Sequence, residues 1–132
     1  MDIQATTVTA AYFDALARGD VPTAMAQLGD DVVWHQPGSN RFSGTHTGPE
    51  AVGALIGQMM QVSGGTFALE VTGEPMVNGA LVAYPVRFSG RRDGEQMDMP
   101  GIDLLTVRDG KIVEVHLFSA DGEAEDRFWG AA

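Results

Sequence analysis

In the first half of the chain, apolar residues recur at spacings of three and four, which is the pattern of amphipathic helices. The first helix is predicted to begin after Thr6 or Thr7 and to end at Gly19. Asp20 then caps a short second helix, and Pro49 opens a third. The apolar faces of the first and third helices are Val8, Ala11, Tyr12, Ala15 and Leu16, and Val52, Leu55, Ile56 and Met59.

A strand is predicted between the second and third helices. Residues 32–36, Val-Val-Trp-His-Gln, have strand character and stop at Pro37-Gly38. Alternation along this strand places Trp34 and Gln36 on the inner face and His35 on the outer face. The polar, glycine-containing residues 38–48 are predicted to form a loop.

From Thr66 onward the apolar period changes to two, which predicts β-strands. Three dipeptides separate the apolar runs as two-residue hairpin turns do, namely Asn78-Gly79, Asp93-Gly94 and Asp109-Gly110. The last strand is predicted to run from Lys111 to Phe118.

The predicted order is therefore α-α-β-α-β-β-β-β. This order is typical of an α+β fold in which a curved antiparallel sheet covers the helices. Residues 1–132 are expected to form one domain. Its acidic tail, 119–132, carries Phe128-Trp129, which is expected to pack back onto the domain. The acidic run of this tail is expected to be a solvated face or a helix terminus, and it consists of Asp121, Glu123, Glu125 and Asp126.

Composition and charge exclude several classes of protein. With 44% hydrophobic and 20% charged residues, the chain has a globular rather than a disordered composition. Its net charge of −10 disfavours nucleic acids and anionic membrane surfaces as partners. The absence of cysteine and of a basic, then apolar, beginning favours a cytoplasmic protein. No metal site is predicted, because the three histidines lack a His-x-x-x-His spacing.

Several segments together resemble those of SnoaL-like, ketosteroid-isomerase-like proteins of the nuclear transport factor 2-like superfamily. They are Tyr12–Asp20, Asp30–Gly38, Gly44–Val52, Ile102–Asp103 and Arg108–Glu114. The similarity extends over residues 6–118 and follows the element order derived above.

This resemblance implies a cone-shaped sheet around an apolar pocket that takes a small hydrophobic substrate or ligand. It also implies a homodimer formed through the outer face of the sheet. Such proteins act as isomerases, cyclases, dehydratases or epoxide hydrolases, often without a cofactor. Because the same fold also serves binding or association alone, a non-catalytic ligand-binding or dimerisation module is the alternative.

Asp103 is the sharpest candidate for chemistry. It interrupts an apolar strand on the core-facing side, where burial raises the pKa of a carboxyl and lets it donate a proton. Alternatively, Asp103 is a buried acid that the backbone or Arg87 satisfies. The resemblance places Asp103 and Tyr12 at the two positions of the ketosteroid isomerase oxyanion hole. The alternative for Tyr12 is an ordinary core tyrosine.

The resemblance leaves the general base open. Ketosteroid isomerases have an aspartate where Gln36 stands here, and an amide cannot shuttle a proton. His35 is the nearest substitute, since an imidazole titrates near neutral pH. It would have to turn inward at Pro37-Gly38, against the strand alternation.

Two departures disfavour a limonene-type epoxide hydrolase. By the same resemblance, Leu117 stands where these hydrolases and also the SnoaL-like cyclases have a catalytic aspartate, which counts against both activities. Gly101 stands where the arginine of the hydrolases is expected. His116 is expected on the surface or in the dimer interface, and His46 in an exposed loop. The expected pocket walls are apolar or polar side chains without an acid–base role, namely Trp34, Gln36, Met59, Met99, Leu117 and Phe118.

The sequence therefore predicts an enzyme with cofactor-free acid–base chemistry on a hydrophobic carbonyl compound, such as a polyketide- or steroid-like molecule. Asp103, Tyr12 and His35 are its candidate catalytic residues.

Overall fold

The computed structural model describes residues 3–131, and their side chains from Ala5 onward. The helices in this range are α1 (Ile3–Ala17), α2 (Val21–Met25), α3 (Pro49–Val62) and α4 (Gly122–Trp129). The strands are β1 (Leu28–Gln36), β2 (Gly44–Thr47), β3 (Ala68–Val71), β4 (Met76–Asn78), β5 (Leu81–Arg92), β6 (Glu95–Arg108) and β7 (Lys111–Ser119). Within residues 3–131, no helix has the length and apolar character that crossing a membrane requires.

The strands form one sheet in the order β2-β1-β7-β6-β5-β3, with β4 beside a separate part of β5. The α+β class is confirmed. The expectation of a wholly antiparallel sheet is wrong at one place, because β1 and β7 run parallel. In that pair, His35 stands opposite His116. The remaining pairs are antiparallel.

Two of the three predicted dipeptides form hairpin turns as predicted. The third prediction is wrong by one residue, because Asn78 pairs with Leu81 and the turn consists of Gly79 and Ala80. Asp93 and Gly94 both have positive φ, at 45° and 79°, and so do Asp109 and Gly110, at 52° and 75°. This geometry gives a two-residue turn whose twist matches that of the flanking strands, and Asp-Gly adopts it readily. β5, β6 and β7 therefore follow one another as an antiparallel meander.

β3 and β4 together replace the single strand expected before Asn78-Gly79. β3 pairs with Val86–Ser89 of β5, and β4 pairs with Leu81–Ala83. Pro85 lies between these two stretches, and its carbonyl oxygen accepts a bond from the Thr72 backbone N–H. Proline has no backbone N–H and cannot donate a hydrogen bond to a neighbouring strand. The gap between β3 and β4 lies opposite Pro85, and therefore few hydrogen bonds are lost there.

Two further expectations need correction. Residues 44–47, expected in a loop, form β2 at the edge of the sheet. They have no apolar alternation, and they are held by backbone pairing with β1. The acidic tail contains α4, which Asp121 caps by accepting a hydrogen bond from the Ala124 N–H. As expected, Phe128 and Trp129 pack back and are buried.

The helices lie against one face of the sheet. α1 contacts β3, β5, β6 and β7, α3 contacts β1 and β2, and α4 contacts β6. Aromatic contacts join the two layers, with the rings of Phe13 and Tyr84 centred 4.4 Å apart and those of Phe42 and Trp129 5.0 Å apart. The core side chains therefore surround a space between the helices and this inner face.

Candidate active site

A cavity of about 390 Å³ lies in that space. This volume is within the range of about 300–1,000 Å³ that is usual for small-molecule sites. Its walls are mainly apolar and include Leu16, Ile56, Met59, Phe67, Leu69, Phe88 and Leu117. Its polar lining is made by Tyr12, Gln36, Asp103, Ser119 and Glu125.

Asp103 lies on the inner face of β6 and is 7% exposed. Burial, and secondly the negative charge of Glu125, raise the pKa of its carboxyl to about 7. Arg87 does not neutralise it, because the Arg87 Nε donates to Asp98 Oδ1 at 2.6 Å. Among the described residues, the Asp103 carboxyl has no hydrogen-bond partner.

Tyr12 reaches the same cavity from α1 and is 1% exposed. Burial, followed by the charge of Asp103, raises the pKa of its hydroxyl, which therefore stays protonated. Within the described part of the chain this hydroxyl also lacks a hydrogen-bond partner. Tyr84 shows the opposite case, since its hydroxyl is hydrogen-bonded to Thr9 Oγ1 at 2.9 Å. Tyr12 therefore differs from a satisfied core tyrosine.

Trp34 and Gln36 line the cavity from β1, on the inward face that strand alternation predicts. The Trp34 Nε1–H donates to Gln36 Oε1 at 3.0 Å. This bond fixes the Gln36 side chain and leaves its NH₂ group as a donor toward the cavity. Tyr12, Asp103 and Gln36 thus each bring a group that can donate a hydrogen bond to the lining of one cavity.

Glu125 is the site residue that sequence reasoning missed. It lies on α4 and is 5% exposed, although the acidic run around it suggested a solvated segment. Its Oε1 accepts a 2.5 Å bond from Ser119 Oγ, and its Oε2 faces Trp129 Nε1 at 3.4 Å. Burial raises the pKa of Glu125, while these two donors act in the opposite direction. The burial of Glu125 could have been predicted from helical spacing, because Glu125 lies three and four residues before the apolar Phe128 and Trp129 and so shares a helix face with them.

His35 does not reach the cavity, which corrects its assignment as the candidate base. The side chain lies on the outer face of β1, and its Nε2 is 2.8 Å from Glu114 Oε2. Trp34 and Gln36 occupy the inward positions on either side, so a strand of period two leaves His35 pointing away. Pro37-Gly38 does not reverse this alternation.

The structure also places the remaining candidates. Met59, Leu117 and Phe118 line the cavity as predicted, and Phe118 keeps 53% of its surface exposed. Met99 is buried but does not line the cavity, which corrects its assignment to the walls. The Phe88 ring lies against Gly101, between Met99 and Asp103 on the inner face of β6, and lines the cavity in its place. His46 is half-buried rather than exposed, and its Nε2 is bonded to the Phe42 carbonyl at 2.9 Å.

Comparison with known proteins gives one family and several relatives. The profile of the SnoaL-like domain matches residues 9–115. A relative described as uncharacterized protein Rv0034, from Mycobacterium tuberculosis, is 31% identical over 120 residues, which are 89% of either chain. The crystal structure of a Xanthomonas campestris protein of unknown function, with a cystatin-like fold, is 46% identical. It has a TM-score of 0.90 and covers 96% of this chain and 98% of that one.

More distant structures share the fold. A nuclear transport factor 2-like protein of Burkholderia xenovorans is 22% identical, with a TM-score of 0.79 and 96% of each chain covered. A candidate polyketide cyclase of Xanthomonas campestris pv. campestris is 21% identical, with a TM-score of 0.74 and coverage of 96% and 97%. At these identities the likeness concerns the fold.

Proposed function

Because this chain belongs to the SnoaL-like family, we propose that it is an enzyme of the isomerase, cyclase or dehydratase type. Its substrate would be a small hydrophobic carbonyl compound, such as a polyketide- or steroid-like molecule. It would use acid–base catalysis without a cofactor. The observation that carries the proposal is a pair of buried groups in an apolar cavity, Tyr12 and Asp103, which have no hydrogen-bond partner among the described residues. The polyketide cyclase assignment of a structural neighbour is consistent with it.

Tyr12 and Asp103 would bind the carbonyl oxygen of the substrate. Removal of a proton from the adjacent carbon moves an electron pair onto that oxygen, which becomes an enolate. Two fixed donors in a low-dielectric cavity stabilise this developing charge more than water does. Asp103 must be protonated to donate, and the raised pKa of this carboxyl supports that role.

Glu125 takes the place of His35 as the proposed general base. The Ser119 hydroxyl donates to Glu125, which favours the ionised form of Glu125. No residue in the described part of the chain donates such a bond to Asp103. Two neighbouring carboxyls avoid ionising together, so a single negative charge rests preferentially on Glu125. Glu125 would accept the carbon-bound proton and return it at another carbon in an isomerisation. In a cyclisation, the enolate carbon would form a bond to the carbon of a second carbonyl, whose π electron pair moves onto its oxygen. That oxygen would then take the proton that Glu125 holds.

Deuterium exchange tests this chemistry even where the product of the reaction is unidentified. A panel of hydrophobic ketones is incubated with the protein in D₂O, and incorporation of deuterium beside the carbonyl is followed by NMR. For a ketone that exchanges, Asp103→Ala and Tyr12→Phe should each slow the exchange on the order of 10²- to 10³-fold. Tyr84→Phe is the matched control, since the Tyr84 hydroxyl is already bonded to Thr9, and it should keep the exchange rate. Equal rates in all variants would refute the assignment.

The second candidate is a binding module that uses the same cavity. Gln36 and Leu117 favour it, because neither of these cavity positions supplies a carboxylate. Native mass spectrometry of the purified protein separates the two functions. A bound hydrophobic molecule that stays unchanged on incubation and shows no exchange would support binding alone.

We also propose a homodimer and a cytoplasmic location. Ile102 and Phe118 are exposed apolar side chains that stand opposite each other on β6 and β7, which supports association through the sheet. The chain has no cysteine and so needs no oxidising compartment for disulfide formation, which is compatible with the proposed location. Sedimentation analysis of the protein and of Phe118→Ser would test the dimer.

A further inference from the structure

A cluster of two histidines and one glutamate lies on the outer face of the sheet, opposite the cavity. The parallel pairing of β1 with β7 sets His35 directly beside His116 and places Glu114 two residues earlier on the same face. The Nε2 atoms of His35 and His116 lie 2.8 Å and 3.3 Å from the same oxygen, Glu114 Oε2. The two imidazole rings are stacked, with centroids 4.1 Å apart and planes at 9°. Three potential ligand atoms therefore converge on one point.

We propose that His35, Glu114 and His116 form a binding site for a divalent transition-metal ion such as Zn²⁺. Their ligand atoms all lie within 4.8 Å of one another. Two imidazole nitrogens and a carboxylate oxygen are ligands that suit Zn²⁺, Co²⁺ and Ni²⁺ far better than Mg²⁺. Three protein ligands leave at least one coordination position for water.

Binding requires a small rearrangement of the two rings. An ion about 2.0–2.1 Å from each Nε2 has to lie near both ring planes, so the stacked rings must open toward it. Their surroundings leave room for this, because the His35 and His116 side chains are 36% and 40% exposed. In the single chain, the same exposure gives the ion a path from solvent.

The site would join strands that are far apart in the sequence. His35 and His116 come from β1 and β7, the parallel pair of the sheet. An ion held by both would bind the folded chain and not the unfolded one, so it should raise the unfolding temperature. This effect is independent of the cavity chemistry, and a catalytically inactive variant such as Asp103→Ala should show it equally.

Isothermal titration of the untagged, metal-free protein with Zn²⁺ tests the proposal. We expect one tight site per chain in the parent protein. Loss of a group that only hydrogen-bonds to a metal ligand typically lowers metal affinity by about tenfold or more. Because His35 and His116 would be ligands themselves, His35→Gln and His116→Gln should each lower the Zn²⁺ affinity at least about tenfold. His46→Gln is the matched control, because His46 is the third histidine and lies outside the cluster. It should keep the affinity of the parent.

Two further measurements exclude non-specific attraction to a chain of net charge −10. Mg²⁺ should not compete with Zn²⁺ at equal concentration, and added salt should leave the Zn²⁺ site in place. In NMR spectra, Zn²⁺ should shift the ring signals of His35 and His116 but not those of His46. The proposal is overturned if the parent binds no Zn²⁺, or if both cluster variants retain its affinity.

Discussion

Replacing Asp103 by Asn should make the protein more stable at neutral pH, because the buried carboxyl is exchanged for an amide that cannot ionise. Asp103 is buried against the cavity, and the pKa of its carboxyl rises from 3.8 to about 7. Ionisation of this group therefore costs the folded state more than the unfolded one. One pKa unit corresponds to about 1.4 kcal/mol, so the full penalty is about 4 kcal/mol.

The sign and the pH window follow from the direction of the shift. The folded state holds this proton more tightly than the unfolded state, so Asp103 costs nothing below pH 3.8, where both states are protonated. The penalty grows as the pH rises from there to about 7 and is constant above. The amide of Asp103→Asn cannot ionise, and the variant should therefore lose this part of the pH dependence.

Urea denaturation of the parent and of Asp103→Asn across this pH range measures the difference directly. The variant should gain about 4 kcal/mol above pH 7, less any cost of burying the amide, and the gain should vanish near pH 4. Asp98→Asn is the matched control, because Asp98 is an exposed carboxylate paired with Arg87. Its difference from the parent should stay within about 1 kcal/mol. A pH-independent difference for Asp103→Asn would refute the reasoning, since it would mean that Asp103 titrates alike in both states.

Two pairs of matched variants test the packing around the site. Gly101→Ala should destabilise the protein by about 1–3 kcal/mol in thermal or urea unfolding, because a Cβ there would collide with the Phe118 carbonyl and the Phe88 ring. Gly57→Ala, in α3 with open space around it, should instead stabilise by about 1 kcal/mol, and equal effects would contradict this distinction. Tyr84→Phe should cost about 1 kcal/mol through the lost bond to Thr9, whereas Tyr12→Phe should cost less because its hydroxyl has no partner among the described residues. The reverse order in urea unfolding would show that Tyr12 is the structural tyrosine.

The catalytic candidates show which parts of the site the local sequence pattern predicts. Asp103 and Tyr12 could be identified because each occupies an apolar face whose period is visible in the sequence, and the cavity indeed receives both. His35 cannot act as the base in the cavity, because strand alternation places its side chain on the outer face of β1. Glu125 lay in a segment whose charges suggested solvent, and only the docking of α4 against β6 showed that this glutamate is buried beside the cavity.

The sequence by itself determined the elements that depend on neighbouring residues. Asp93-Gly94 and Asp109-Gly110 specify their turns through positive φ, and alternation specifies which face each side chain takes, because both effects act within a few residues. Only the tertiary structure decided that β1 lies parallel to β7. That contact joins residues about 80 positions apart, and it creates both the inner cavity wall at Trp34 and Gln36 and the outer cluster of His35, Glu114 and His116. Such pairings result from the packing of the whole sheet against its helices, which no short stretch of sequence contains.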